Sequence, residues 1–213
     1  MKNLLPKLTL AVLLTATAAF AEDMVPLKTD LPKPLFVGTP VPINVPNLEP
    51  KLNGKRPDFM VPAGTVNLAK DKKVTASDND PVVGTLDLVT DGDKDGDEGS
   101  YVELGPGKQW VQIDLEKEAD IYAVLVWHFH SQERVYHDVV VQVSDDPNFA
   151  KDVKTIYDNS SGAADRPYIE TYQGKLIDAK GVKGRYVRLL SNGNTTNKMN
   201  HYIEVEVWGK PAA

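Results

Sequence analysis

Residues 110–127 read WVQIDLEKEADIYAVLVW, and the fold is decided there. Val111–Leu115 alternates Val, Ile and Leu with Gln112 and Asp114, the period of a strand with one face in a core and one toward water. The stretch Ile121–Phe129 is apolar on both faces until its end, as expected of a central strand in a sandwich. Working outward, further strands are predicted at Val135–Ser144, Tyr186–Leu190 and Tyr202–Trp208. Turn residues punctuate them at Gly105-Pro106-Gly107, Asp145-Asp146-Pro147-Asn148, Ser160-Ser161-Gly162 and Ser191-Asn192-Gly193. No segment after the first 21 residues sustains helical periodicity. Residues 66–209 therefore predict an all-β fold, an antiparallel β-sandwich or jelly roll, with residues 210–213 as a short tail.

Composition bounds the chemistry. The 213 residues include no cysteine, which excludes a disulfide framework, a thiolate metal site, a cysteine nucleophile and a lipidated cysteine. With 24 basic and 30 acidic side chains the formal net charge is −6, a poor basis for non-specific binding to nucleic acid or to an anionic membrane. Catalytic signatures such as G-x-S-x-G, a phosphate-cradling loop or a dinucleotide fingerprint are absent from the sequence.

The first 21 residues read as a secretory signal peptide. Lys2 and Lys7 form a positive start, Leu8–Ala19 an apolar run, and Ala19-Phe20-Ala21 a small-x-small cleavage site. The run is short of the roughly 20 apolar residues that a bilayer needs, so export to a periplasmic or extracellular space, without membrane insertion, is the expectation. Residues 22–65 follow as a Pro-rich extended segment. Nine of the fifteen prolines fall in residues 22–63, which excludes a helix and favours extended geometry. Leu31, Leu35, Phe36, Val37, Val41, Ile43, Val45 and Leu48 are spaced as in a strap along an apolar surface; a disordered tether is the alternative.

Six blocks recur in order along residues 66–209: NLAKDKKVTAS (67–77), LVTDGDKDG (88–96), WVQIDLEKEADIYAVLVW (110–127), VVVQVSDDPNF (139–149), GRYVRLL (184–190) and IEVEVWG (203–209). Together they resemble a discoidin domain, the coagulation-factor type C or galactose-binding-like family, and are most similar to its bacterial carbohydrate-binding modules. The resemblance implies a non-catalytic jelly roll whose end loops bind sugars, lipids or proteins.

The loop Asp91-Gly-Asp-Lys-Asp-Gly-Asp97 alternates carboxylates along a short turn. Calcium takes six to eight hard oxygens, and a D-x-D-x-D-G run can deliver several of them. It is not an EF-hand, because Val102 stands at the twelfth position. The resemblance implies calcium held by Asp91, Asp93, Asp95 or Asp97, neighbouring loop oxygens with Leu88 among them, and Glu204 at the start of the last strand. The alternative is a solvated acidic turn that binds nothing.

The four histidines fall in two places. If Ser131–Arg134 closes a hairpin, His130 pairs with Val135 and His128 faces His137. Three readings stay open. His130, Arg134, Asn197, Asn200 and His201, with Trp127 and Tyr101 as aromatic platforms and His128 and His137 beside them, offer sugar-binding chemistry. Several neutral imidazoles could instead hold zinc, copper or nickel, as a transition-metal protein or metalloenzyme. The third reading is structural, with the imidazoles hydrogen-bonded at the sandwich end. The expected function is a secreted binding module for carbohydrate with a structural calcium ion. An adaptor role is the further alternative, with residues 22–63 holding another extracytoplasmic protein.

Overall fold

The computed structural model describes residues 22–212. Residues 1–21, read above as a signal peptide, lie outside the described residues. Eleven strands and one short 3₁₀ turn, Leu86–Thr90, make up the regular structure described. They are β1 (Met24–Pro26), β2 (Met60–Pro62), β3 (Val66–Asn67), β4 (Val74–Ala76), β5 (Val102–Leu104), β6 (Gln109–Trp127), β7 (Val140–Ser144), β8 (Lys154–Asp158), β9 (Lys175–Ser191), β10 (Asn200–Tyr202) and β11 (Glu204–Pro211). The main sheet runs β3-β11-β6-β9-β7-β8, with β4 also on β6, and every pairing among its named strands is antiparallel.

Two long strands make one hydrogen-bonded sheet serve as both layers. The first part of β6, Gln109–Asp114, pairs with Tyr186–Ser191 of β9, beside β7 and β8. The second part, Ala119–Trp127, pairs with β11 and with the first part of β9. Register breaks between Asp114 and Ala119, where Glu116 has φ 69°, and β9 turns at Lys180 (φ 54°) and Gly181 (φ 72°). Left-handed residues at matching points turn both strands through the corner together. The doubled-back path brings the two ends of β6 to the same end of the sandwich.

Between the layers lie Val111, Ile113, Ile121, Val124, Val126, Val141, Val143, Val187, Leu189, Val205 and Val207, all but fully buried. The other face of β6 carries Ala123, Leu125 and Trp127, which join Ile203 in a second cluster covered by Leu27 and Phe59. Leu27 and Phe59 come from the Pro-rich segment. The apolarity of Ile121–Phe129 on both faces thus has two causes, an inner core and an outer cover, rather than the single sandwich core expected.

The Pro-rich segment lies along the domain. β1 pairs with β2, the Leu27 N–H donates to Phe59 O at 2.7 Å, and Arg56 donates to Gln173 O and Gly174 O, each at 2.6 Å. Farther on, Val37 N–H donates to Ser131 O and Glu133 N–H to Gly38 O, while Glu49 N–H reaches Pro167 O. Prolines lower the entropy lost when such a chain is held extended, so few contacts suffice to fix it.

Two strand expectations are corrected. The segment Val135–Ser144 is a strand only from Val140, because its earlier backbone groups bond elsewhere: His137 N–H to Gly193 O, and Thr195 N–H to Val135 O. No hairpin joins β6 to β7, which lie on opposite sides of β9. Among the described residues no helix is long and apolar enough to cross a membrane.

Candidate functional site at the loop end

Four loops gather beyond the ends of β6: residues 92–101, 128–139, 159–174 and 192–199. Backbone and side-chain bonds stitch them together. His130 Nε2 meets Lys94 O at 2.9 Å, Ser131 Oγ donates to Gly96 O, Glu170 N–H donates to Arg134 O at 3.0 Å, and Asn192 N–H to His137 O at 2.9 Å.

The imidazoles do not converge. His128 is fully buried, with Nδ1 2.7 Å from Glu170 Oε1 and its ring stacked on Tyr136 at 4.3 Å. His201 sits between Tyr136 Oη at 2.8 Å from Nδ1 and Glu103 Oε2 at 2.8 Å from Nε2. Burial, with the Arg134 cation and His128 adding to it, holds the His201 pKa down to about 3. A pairing with Glu103 would favour a proton on the ring, but desolvation is the larger effect, so the ring is neutral at ordinary pH. That state fixes the tautomer: Nε2–H donates to Glu103 and Nδ1 accepts from the Tyr136 hydroxyl. His137 does not face His128 as the hairpin reading required; it is exposed on the surface. Among the described residues no three His, Asp or Glu side chains come together as a metal site, so the expected imidazole cluster is corrected to separate hydrogen-bonded rings.

Burial also reassigns the expected sugar platform. Trp127 is 0% exposed, donating from Nε1 to Tyr172 O, with Lys94 Nζ 5.3 Å from its ring centroid. Gly174 (φ 65°) makes that fit feasible, since a Cβ there would come within 2.6 Å of the indole. Asn200 is a structural staple. It accepts from Ser191 Oγ and Gly193 N–H and donates to Gly105 O and Gly107 O. Arg134 is buried against Phe129, its guanidinium 4.4 Å from the ring centroid, and His130 is buried too. Of the expected sugar-contact set, His137 and Asn197 remain exposed and Tyr101 half-exposed, packed edge-on against Phe129 at 5.3 Å.

The acidic loop is arranged around its own backbone. Asp93 N–H donates to Asp91 Oδ1 at 2.8 Å, Asp95 N–H to Asp93 Oδ1 at 2.9 Å, and Ser100 Oγ to Asp93 Oδ2 at 2.9 Å. Asp93, Asp95 and Asp97 are exposed, while Leu88 and Asp91 are half-buried. Lys94 turns away to pair with Glu206 Oε1 at 2.6 Å, both side chains nearly buried, so it does not neutralise the aspartates. Glu204 is fully buried. Its Oε2 accepts Gly92 N–H at 3.0 Å, Oε1 has no donor, and burial pushes its pKa up to about 8.

An open cleft of about 560 Å³ lies beside these loops. Its walls are Val45–Asn47 of the Pro-rich segment, His137 and Asp138, and the turn Asn159–Pro167. Arg166 fixes the wall by donating to Asn47 O at 2.9 Å and to Leu48 O. Of these residues only His137 was singled out from sequence as a ligand candidate, Val45 being named there as an apolar strap residue. Ser160-Ser161-Gly162 was legible as a turn, but nothing in a linear reading places that turn opposite residue 46.

A family model described as "NedA-like, galactose-binding domain" matches residues 88–189. No curated protein matches the sequence. Among solved structures, a family 89 glycoside hydrolase from Clostridium perfringens is similar at 21% identity and a TM-score of 0.53, over 69% of this chain and 15% of that one. A fucolectin from striped bass, Morone saxatilis, is similar at 20% identity and 0.51, over 70% and 50%. Chitosan-binding module 1 of a chitosanase/glucanase from Paenibacillus sp. IK-5 is similar at 20% identity and 0.51, over 67% and 98%. The chain thus spans about 15% of the hydrolase's length, and what these likenesses share with it is the β-sandwich fold.

Proposed function

We propose that this chain, which carries at residues 88–189 a galactose-binding domain of the F5/F8 type C, or discoidin, family, is an exported, non-catalytic carbohydrate-binding module. The observation that carries the reading is the preformed polar cleft at the loop end, whose walls offer His137, Asp138, Asn159, Ser161 and backbone groups to a polyhydroxylated ligand. Ligand pockets run to roughly 300–1,000 Å³, and the cleft falls in that range. Each neutral hydrogen bond contributes about 0.5–1.5 kcal/mol net, against an association cost of about 4–15 kcal/mol, so recognition here has to gather many small contacts. Glycan-array binding of the intact protein tests the reading. Selective signal that is lost when Asp138→Ala and Asn159→Ala are combined supports it; silence on every glycan at high protein concentration overturns it.

A calcium ion at the acidic loop completes this proposal. Glu204 supports the fit, since a buried carboxylate oxygen without a donor, next to Asp91 and the Gly92 backbone, suits a hard cation. Asp91 and Glu204 would hold the ion with backbone oxygens of the loop, Leu88 among them, while Asp93, Asp95 and Asp97, exposed and not gathered with those two carboxylates, would have to close in on binding. Bound there, calcium would supply charge neutralisation and a tie between the loop and β11. A second reading, an adaptor for an extracytoplasmic protein, draws on Phe36 and Val37, which stay 64% and 66% exposed on the docked segment.

A further inference from the structure

We infer that the ligand is an oligosaccharide chain engaged along several units, uncharged or basic rather than acidic; this rests on the carbohydrate-binding reading above. The loop-end cleft does not stop at its own rim. A second groove of about 440 Å³ shares Asp138, Ser160 and Ser161 with it and continues over the sheet face to Lys108, Gln142 and Thr155. At about 3.3 Å per residue, Val140 to Gln142 along β7 adds roughly 7 Å beyond Asp138. On the far side the first cleft reaches Asn47. The whole path is longer than one pyranose ring.

Its chemistry favours a chain over a single terminal sugar. No Trp or Phe lines either groove and the one Tyr, Tyr136, is only 1% exposed, so among the described lining residues the small His137 imidazole is the one open ring and no broad stacking plane is offered. Recognition must then come from dispersed polar groups. Asn159 Oδ1 accepts Val139 N–H and its Nδ2 is buried, so the groups open to a ligand are the exposed His137 ring, the exposed Ser161 and the half-buried Asp138. The cost of fixing a ligand is incurred once, whereas each added unit brings its own hydrogen bonds. The strap wall is held before any ligand arrives, by Arg166 on Asn47 O and by Glu49 N–H on Pro167 O at 2.8 Å.

Charge selects among chains. Asp138, Asp158 and Asp165 line the path against Lys108 and Arg166, and Arg166 is turned to the strap carbonyls. On a chain of net charge −6, acidic units would meet like charge.

Calorimetric titration with three size ladders, glucosamine, N-acetylglucosamine and mannuronate, each from monomer to hexamer, tests the inference. In a non-acidic ladder the tetramer should bind at least about tenfold tighter than the monomer, with mannuronate weakest. Equal affinity for monomer and hexamer would overturn the extended site and leave sugar binding standing. Tightest binding of mannuronate would overturn the charge assignment, and silence on all three ladders would count against carbohydrate binding itself. Ser161→Trp, on an exposed turn at the shared rim, should bring the hexamer down toward the monomer with an unchanged melting temperature; undiminished hexamer affinity overturns the proposal.

Discussion

His201 shows how a side chain chosen for its chemistry can be put to structural use. Its position before the last strand made it a ligand candidate, yet it is buried, neutral and doubly bonded between Tyr136 and Glu103. The pKa of about 3 in the fold lies below the ordinary 6.5 of the unfolded chain, so between those values only the unfolded state takes up the proton. Stability from this residue is therefore complete above about pH 6.5 and is lost as pH falls toward 3, at up to about 1.4 kcal/mol per unit. Thermal melts between pH 7 and 4 should show that decline and His201→Phe should flatten it; an NMR titration placing His201 near 6.5 would refute the assignment. Sequence gave the residue type and its neighbourhood, but burial is a property of what packs on top.

At the scale of elements, the Pro-rich segment and the outer face of β6 explain one another. Leu27 and Phe59 share the cover of Leu125, Trp127 and Ile203 with Tyr101, Leu176 and Trp208, and each large apolar side chain is stabilised by about 1.5–3 kcal/mol on full burial. Arg56 is the latch, half-buried with two carbonyl acceptors on the turn that backs Trp127. Arg56→Ala should raise amide exchange of residues 54–59 and 173–174 about tenfold or more, while β6 and β9 stay protected. Uniform loss of protection, or none, would show that the segment is not held there. The excess apolarity of Ile121–Phe129 was plain in the sequence. That an extended segment lying dozens of residues upstream covers it was not, because proline spacing sets conformation without specifying the surface it meets.

For the molecule as a whole, the proposed calcium tie stands where a cysteine-free sandwich has no disulfide to draw on. Asp91→Asn should lower the melting temperature in calcium buffer by several degrees and have little effect in chelator. Equal effects in both buffers would mean the loop holds no ion. The β-sandwich, its strand runs, its principal turns and the six ordered blocks that resemble a discoidin domain were determined by the sequence itself, because alternation, turn residues and composition act locally. Tertiary structure alone decided the corner that folds β6 and β9 into two layers and the separation of the four imidazoles. It also decided the burial of Trp127 and Asn200 and the cleft between residue 46 and the Asn159–Pro167 turn. Each of these depends on pairing between segments far apart in the chain, and such pairing leaves no periodic trace in any one of them.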